Sequence, residues 1–218
     1  MTVEQAEELG LRQHYKSFSP NLLLRWTPGQ YYYMDRNRKV NVYSPFPTIE
    51  LNYEIGLKGV LGSTSRYDRL EFDISYEWDK DTMHKISWRV GGGKYMDKGN
   101  LEFMDYHNFK KHYLPESWED ELGGRFTLLN SHWFNECLYY LRGHLIYESP
   151  LLLLGHLSSK YIQRERLYAS ALHTDIFHNY FEIGYGIATH VFDLGFYVSA
   201  MNGKYSEFGV KYNFTLFH

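Results

Sequence analysis

A single cysteine, Cys137, is all the thiol chemistry this chain has. It excludes an intrachain disulfide framework and any cysteine-rich zinc site. Long apolar runs are missing as well. The longest purely aliphatic stretch is Leu151 to Leu154, far short of the roughly 20 residues a membrane-spanning helix needs. Helical insertion is thereby excluded, but a membrane β-barrel is not, because barrel strands are short and apolar on one face only. An excess of one charge is lacking too. Against 23 Lys and Arg stand 26 Asp and Glu, so no basic field points to nucleic acid. No Pro/Ser-rich linker divides the 218 residues, and no repeat period suggests a solenoid or propeller. The opening MTVEQAEELG is acidic, without a basic or apolar leader segment, so it does not read as a secretory signal. It reads either as the start of a cytoplasmic protein or as a chain lacking its own beginning.

What the chain has in abundance is aromatic residues: 21 Tyr, 14 Phe and 5 Trp. These favour strands, and Tyr and Trp also favour the level where hydrocarbon meets water. They are set in a period-two pattern, the signature of a strand with two unlike faces. IELNYEIGLKGVLGS places Ile49, Leu51, Tyr53, Ile55 and Leu57 on one side and Glu50, Asn52, Glu54, Gly56 and Lys58 on the other. LEFDISYEW sets Leu70, Phe72, Ile74, Tyr76 and Trp78 against Glu71, Asp73, Ser75 and Glu77. KISWRV sets Ile86, Trp88 and Val90 against Lys85, Ser87 and Arg89. The same alternation runs through Tyr139–Glu148, Phe181–Ile187, Phe192–Ala200 and Glu207–Leu216. With weaker signals at 22–26, 101–106, 126–130 and 167–173, roughly ten to twelve strands are expected. Most connections are short, such as DKDT, ATH and MNGK, which predicts an antiparallel up-and-down meander. Lys94 to Leu122 reads as a long polar loop, and Ser149 to Glu165 as a helix or loop against the end of the sheet. Thr2 to Leu9 reads as a short helix, with Thr2 and Gln5 forming a capping box and Gly10 a stop. The domain reading is therefore a helical or irregular segment, 1–17, followed by a β-barrel domain, 18–218.

Which face is wet decides the function. Large residues dominate the apolar faces throughout, whereas a small closed soluble barrel needs small residues among the large. The polar faces carry both signs of charge, which can pair across strands inside a lumen. Tyr and Trp gather at strand ends, as an aromatic girdle would. The expectation is a transmembrane β-barrel with lipid outside. Its lumen would carry Glu50, Glu54, Lys58, Glu71, Asp73, Glu77, Lys85 and Arg89. The terminal GVKYNFTLFH resembles the C-terminal signal read by the outer-membrane assembly machinery, with Tyr212, Phe214 and Phe217 presenting it.

YESPLLLL, ERLYAS, YFEIGYGI and FGVKYNFTLF together resemble the end of a Bacteroidetes outer-membrane family. In that family a carboxypeptidase-regulatory-like domain precedes a C-terminal β-barrel of unknown function. The resemblance runs from about Phe18 to Phe217 and implies that this chain corresponds to the barrel part alone, as a truncated member. It implies residence in the bacterial outer membrane. The partners implied are membrane lipid, the barrel assembly machinery and other envelope proteins, with no nucleic acid among them.

Chemistry-bearing constellations are weak. His107 and His112 are five apart, not the spacing of a helical zinc pair, and His173 and His178 flank a turn. Ser170 and His173 fall on opposite faces of one strand, as do the adjacent Ser131 and His132, and no G-x-S-x-G occurs. Glu71 and Asp73 could serve a glycosidase, but many equivalent carboxylates exist. GGGK lacks the rest of a phosphate loop and reads as a strand end; DRNRKVNV reads as a solvated turn or a contact with anionic head groups. No catalytic, cofactor-binding or metal residue is expected, and the role is read as non-enzymatic: structure, transport or docking in the envelope. A soluble β-barrel or sandwich binding a small apolar ligand is the alternative, and a barrel-embedded lipid hydrolase the third.

Overall fold

A computed structural model describes residues 15–79, 84–101, 105–107, 109, 126–129, 137–150, 152–154, 162–189 and 192–214. Among these residues eleven strands follow one another: β1 (Asn21–Trp26), β2 (Tyr32–Asp35), β3 (Arg38–Asn41), β4 (Thr48–Gly56), β5 (Arg66–Asp79), β6 (Lys85–Asn100), β7 (Tyr139–Ser149), β8 (Ile162–Thr174), β9 (His178–Thr189), β10 (Phe192–Met201) and β11 (Lys204–Phe214). Nine of them form one antiparallel sheet in the order β1-β4-β5-β6-β7-β8-β9-β10-β11. Among the described residues the chain is thus all-β and meanders, with the β2–β3 hairpin forming its own small sheet between β1 and β4. Two hairpins turn through residue pairs with both φ positive, Arg36–Asn37 and Asn202–Gly203. Such turns twist with the flanking strands, and Asn-Gly is the pair that adopts them most readily.

Alternation sorts the side chains as the sequence pattern requires. In β7, Tyr140, Arg142, His144, Ile146 and Glu148 are buried, while Tyr139, Leu141 and Leu145 are exposed. In β9, Tyr180, Glu182 and Gly184 are buried, while Phe181 and Ile183 are exposed. One face of the sheet is therefore covered and the other bare. The cover is the connection between β6 and β7, whose described residues pack against β5 to β11. Phe109, Phe126, Leu129 and Cys137 form an apolar cluster with Tyr140, Leu172 and Tyr180. Leu128 packs on Ile146, Tyr168 and Tyr197 and reaches Gly209 of β11.

Several expectations are corrected here. The sheet is not closed: among the described residues no pairing joins β1 to β11. The reason lies in direction. With nine antiparallel strands the first and last run the same way, so they cannot pair antiparallel. Lys94 does not begin a loop, because β6 continues through Gly91–Gly93 to Asn100. The glycines that argued for a strand end instead make room, since Asp73 and Tyr140 occupy the space where side chains of Gly91 and Gly93 would stand. Lys58 is not on a strand; β4 ends at Gly56, and Lys58 lies exposed in the following turn, where Gly59 takes a φ of 85°. Phe126–Leu129 is irregular rather than a strand, and the helix expected over 2–9 lies outside the described residues.

Candidate functional site

The covered face carries the molecule's chemistry, and register builds it. Glu54 pairs with Arg69, and Asp73 with Gly91; Arg89 pairs with His144, and His144 with Ser170. Cross-strand neighbours on one face therefore bring opposite charges together. Asp73 accepts hydrogen bonds from Arg89 (3.0 Å) and from Arg142 (2.9 and 3.1 Å). Arg69 donates to the Glu54 carboxylate, to the Tyr95 hydroxyl at 3.1 Å and to the Asp105 carbonyl at 3.2 Å, and its Nε lies 3.5 Å from Glu71. Exposure is only 2% at Arg89 and 5% at Glu71. Charges so withdrawn from water persist only when paired and hydrogen-bonded.

His107, from the covering connection, completes this cluster. Its Nδ1 is 2.6 Å from Glu71 Oε1, which also accepts from the Tyr140 hydroxyl at 2.7 Å. Its Nε2 is 3.5 Å from Arg142 Nη1. The arrangement fits a neutral imidazole with the proton on Nδ1, donating to Glu71 and accepting weakly from Arg142. Burial, assisted by Arg142 and Arg69, holds the imidazole pKa below its usual value against the pull of Glu71. Charge balance agrees. The guanidiniums of Arg69, Arg89 and Arg142 meet the carboxylates of Glu54, Glu71 and Asp73, and a neutral His107 leaves these six without net charge.

A second anchor holds the far part of the same connection. The backbone N–H groups of Thr127 and Leu128 donate to the Glu182 carboxylate at 2.8–3.1 Å, and Tyr180 adds its hydroxyl at 2.9 Å. Phe126 lies against His144 with ring centroids 4.7 Å apart. Nothing in the sequence pattern marks Glu182 as an anchor, because alternation tells which face a side chain takes but not what lies on it.

The remaining expected lumen residues are placed as follows. Glu50 is buried and paired with Arg25. Glu77 and Lys85, 3.1 Å apart, face one another at the β5–β6 turn, with Glu77 exposed. Tyr212 is exposed on β11, Phe214 ends that strand, and Phe217 lies outside the described residues. Ser170 and His173 do fall on opposite faces, but Ser170 Oγ finds His144 Nδ1 across the β7–β8 pair at 2.9 Å. Both are buried, and Phe126 of the covering connection lies against the His144 ring. Cys137 is buried as well, and burial pushes its thiol up to about 12, far from the thiolate that reactivity requires. Among the described residues, no group of three or more His, Cys, Asp or Glu side chains is arranged to hold a metal ion.

The bare face is the inverse. Leu51, Phe72, Val90, Leu141, Leu145, Phe181, Val198 and Val210 are all exposed, Ile183 reaches 66% and Phe208 56%. Burying a large apolar side chain is worth about 1.5–3 kcal/mol. At roughly half exposure these ten forgo on the order of 10 kcal/mol in water, comparable with the whole net stability of a domain, about 5–15 kcal/mol. A contiguous apolar surface of this kind belongs against something.

No curated protein and no solved structure matches the chain. A family model described as the C-terminal domain of a family of unknown function (DUF5686) matches residues 3–187, which contain β1 to most of β9. With most of its length so matched, the chain belongs to the DUF5686 C-terminal domain family.

Proposed function

We propose that this chain forms the wall of an integral outer-membrane β-barrel of a Bacteroidetes-type envelope, with the bare face toward lipid and the covered face toward a plugged interior. The observation that carries this reading is the inverted burial: paired charges inside, aliphatic and aromatic side chains outside. Strand lengths support it. β7 to β11 have 10–13 residues, and a tilted membrane strand needs about 9–11. An apolar-ligand binder would instead turn its apolar residues toward the interior. In lipid an open sheet edge is intolerable, because unpaired backbone groups find no water. An odd number of further strands between β1 and β11 would complete an all-antiparallel ring.

The role is non-enzymatic. Asp105, His107 and Phe126–Leu129 lie on the covered face, so any passage requires the β6–β7 connection to leave it, and the resting wall is a scaffold or docking element. Lipid, the barrel assembly machinery and other envelope proteins are its partners. Tyr212, Phe214 and Phe217 present the assembly signal.

Fractionation tests this directly. In cells that also supply the strands completing its ring, the chain should be found in the detergent-requiring outer-membrane fraction and in a heat-modifiable band. A monomer soluble without detergent would overturn the reading.

A further inference from the structure

One carboxylate stands on the wrong face. Glu165 shares the parity of Leu167 and Ala169, the bare side of β8, yet its exposure is 0%. Its partners explain this. Three successive backbone N–H groups, from Leu152, Leu153 and Leu154, converge on its oxygens at 3.3, 2.8 and 3.2 Å. The Tyr185 hydroxyl, from the same face of β9, donates to it as well. Consecutive N–H groups aimed at one anion form a nest. The nest and the carboxylate satisfy each other, so neither needs water. Residues 152–154 are thereby held at Glu165 on the bare side of β8, with Leu153 66% exposed.

We propose that this clamp, resting on the membrane reading above, seats residues 152–154 at the head-group boundary of one leaflet, where Leu153 contacts phospholipid and sets the depth of the wall. Glu165 lies three residues into β8, about 10 Å along the strand from its start, so the clamp sits at the rim and not at mid-wall. Leu153, Leu167 and Ile183 are all exposed. Trp78 and Tyr147 stand near the same end of β5 and β7, where amphipathic rings favour the interface. Exposed apolar surface without such neighbours would suit a protein partner equally. The Trp and Tyr rings at this end of the bare face favour lipid.

Depth-dependent quenching tests it on the full chain in phosphatidylcholine–phosphatidylglycerol vesicles. Single cysteines replace Leu153, Leu145 or Asn37 and are labelled with a fluorophore after folding, with buried Cys137 left unmodified. Nitroxide lipids quench at the head group, near the interface or deep in the chain region. Leu153→Cys should be quenched most by the shallow nitroxides, Leu145→Cys most by the deep one, and Asn37→Cys at the hairpin tip least. Adding Glu165→Ala should reduce the quenching at position 153 at least twofold and leave position 145 unchanged. If position 145 is not quenched at all, the membrane reading itself fails. If 145 is quenched at depth while 153 is unquenched, or 153 is quenched as deeply as 145, or 153 is indifferent to Glu165→Ala, the membrane reading stands and the clamp proposal is overturned. Quenching at 153 that is replaced by energy transfer between labelled copies would assign the surface to a second copy and overturn it equally.

Discussion

The covered face is filled in two different ways along the sheet. From β4 to β7 the filling is ionic: Glu54, Arg69, Glu71, Asp73, Arg89 and Arg142 interlock through cross-strand pairs and take in His107. From β8 to β11 it is aromatic and glycine-lined. Tyr168 and Tyr197 stack with centroids 5.5 Å apart, and their rings lie over Gly184, Gly186 and Gly195, which have no side chain to obstruct them. Glu182 reaches the covering connection at Thr127 and Leu128, and Asp175 of the β8–β9 turn reaches it at Leu138. The ionic half depends on complete pairing and the aromatic half on close fit, so they should fail differently.

The largest effect should come from the ionic half. Asp73→Leu leaves two buried guanidiniums, Arg89 and Arg142, without their shared carboxylate. Breaking a buried pair from one side costs about 3–5 kcal/mol, read as a fall in the urea midpoint of the detergent-solubilised protein. If Asp73→Leu were neutral, the ionic half would not depend on pairing and the contrast would collapse.

In the aromatic half, Gly184→Ala places a Cβ 2.5 Å from the Tyr197 ring. Overpacking of that kind costs about 1–3 kcal/mol. Gly143→Ala, where the nearest atom is a backbone oxygen at 3.9 Å, is the matched control. It should be neutral or slightly stabilising, by under about 1 kcal/mol, since alanine narrows the unfolded ensemble. Equal losses for both would show that fit to the tyrosines is not the cause.

Glu182→Ala should release one end of the covering connection and not the other. It removes the acceptor for the Thr127 and Leu128 amides, at a cost of about 1–3 kcal/mol for the groups left unsatisfied. Amide exchange should rise at 127 and 128 and stay unchanged at 105–107, where Arg69 and Tyr95 hold the Asp105 carbonyl. Loss of protection at both places would mean that the two halves hold the connection as one unit.

The smallest effect should follow acidification. His107 faces Glu71 on β5 and Tyr140 and Arg142 on β7, with Arg69 nearby, and its pKa is lowered by burial. An imidazole released into water titrates near 6.5, so the released form takes up protons first as pH falls. Stability of the docked connection is fully present above about pH 6.5 and declines below it. Protease susceptibility of the connection should therefore rise from about pH 7 to about pH 5. His107→Gln should flatten that dependence.

Much of this architecture is legible in the residues. Period two sorts Leu141 from Arg142 and Ile183 from Glu182 without any structure, because a strand offers only two directions. Asn202–Gly203 announces its hairpin for a similar local reason. What the chain does not announce is distance in sequence. Ser170 meets His144 only through register, and Glu71 meets His107 only because a long connection folds back. Gly91–Gly93 misleads, since low strand propensity there is outweighed by the neighbours that need the space. Glu165 looks like one more strand-end carboxylate until three amides from another segment are found around it.

The parallel sense of β1 and β11 has a consequence for assembly symmetry. Rotating copies of this nine-stranded sheet about a common axis along the strands preserves strand direction, so every seam would join β11 to β1 running the same way. A ring of identical, equally oriented copies would therefore carry a parallel seam at each junction. Only a direction-reversing partner, an unlike segment with an odd strand count, lets same-facing assembly and antiparallel pairing coexist.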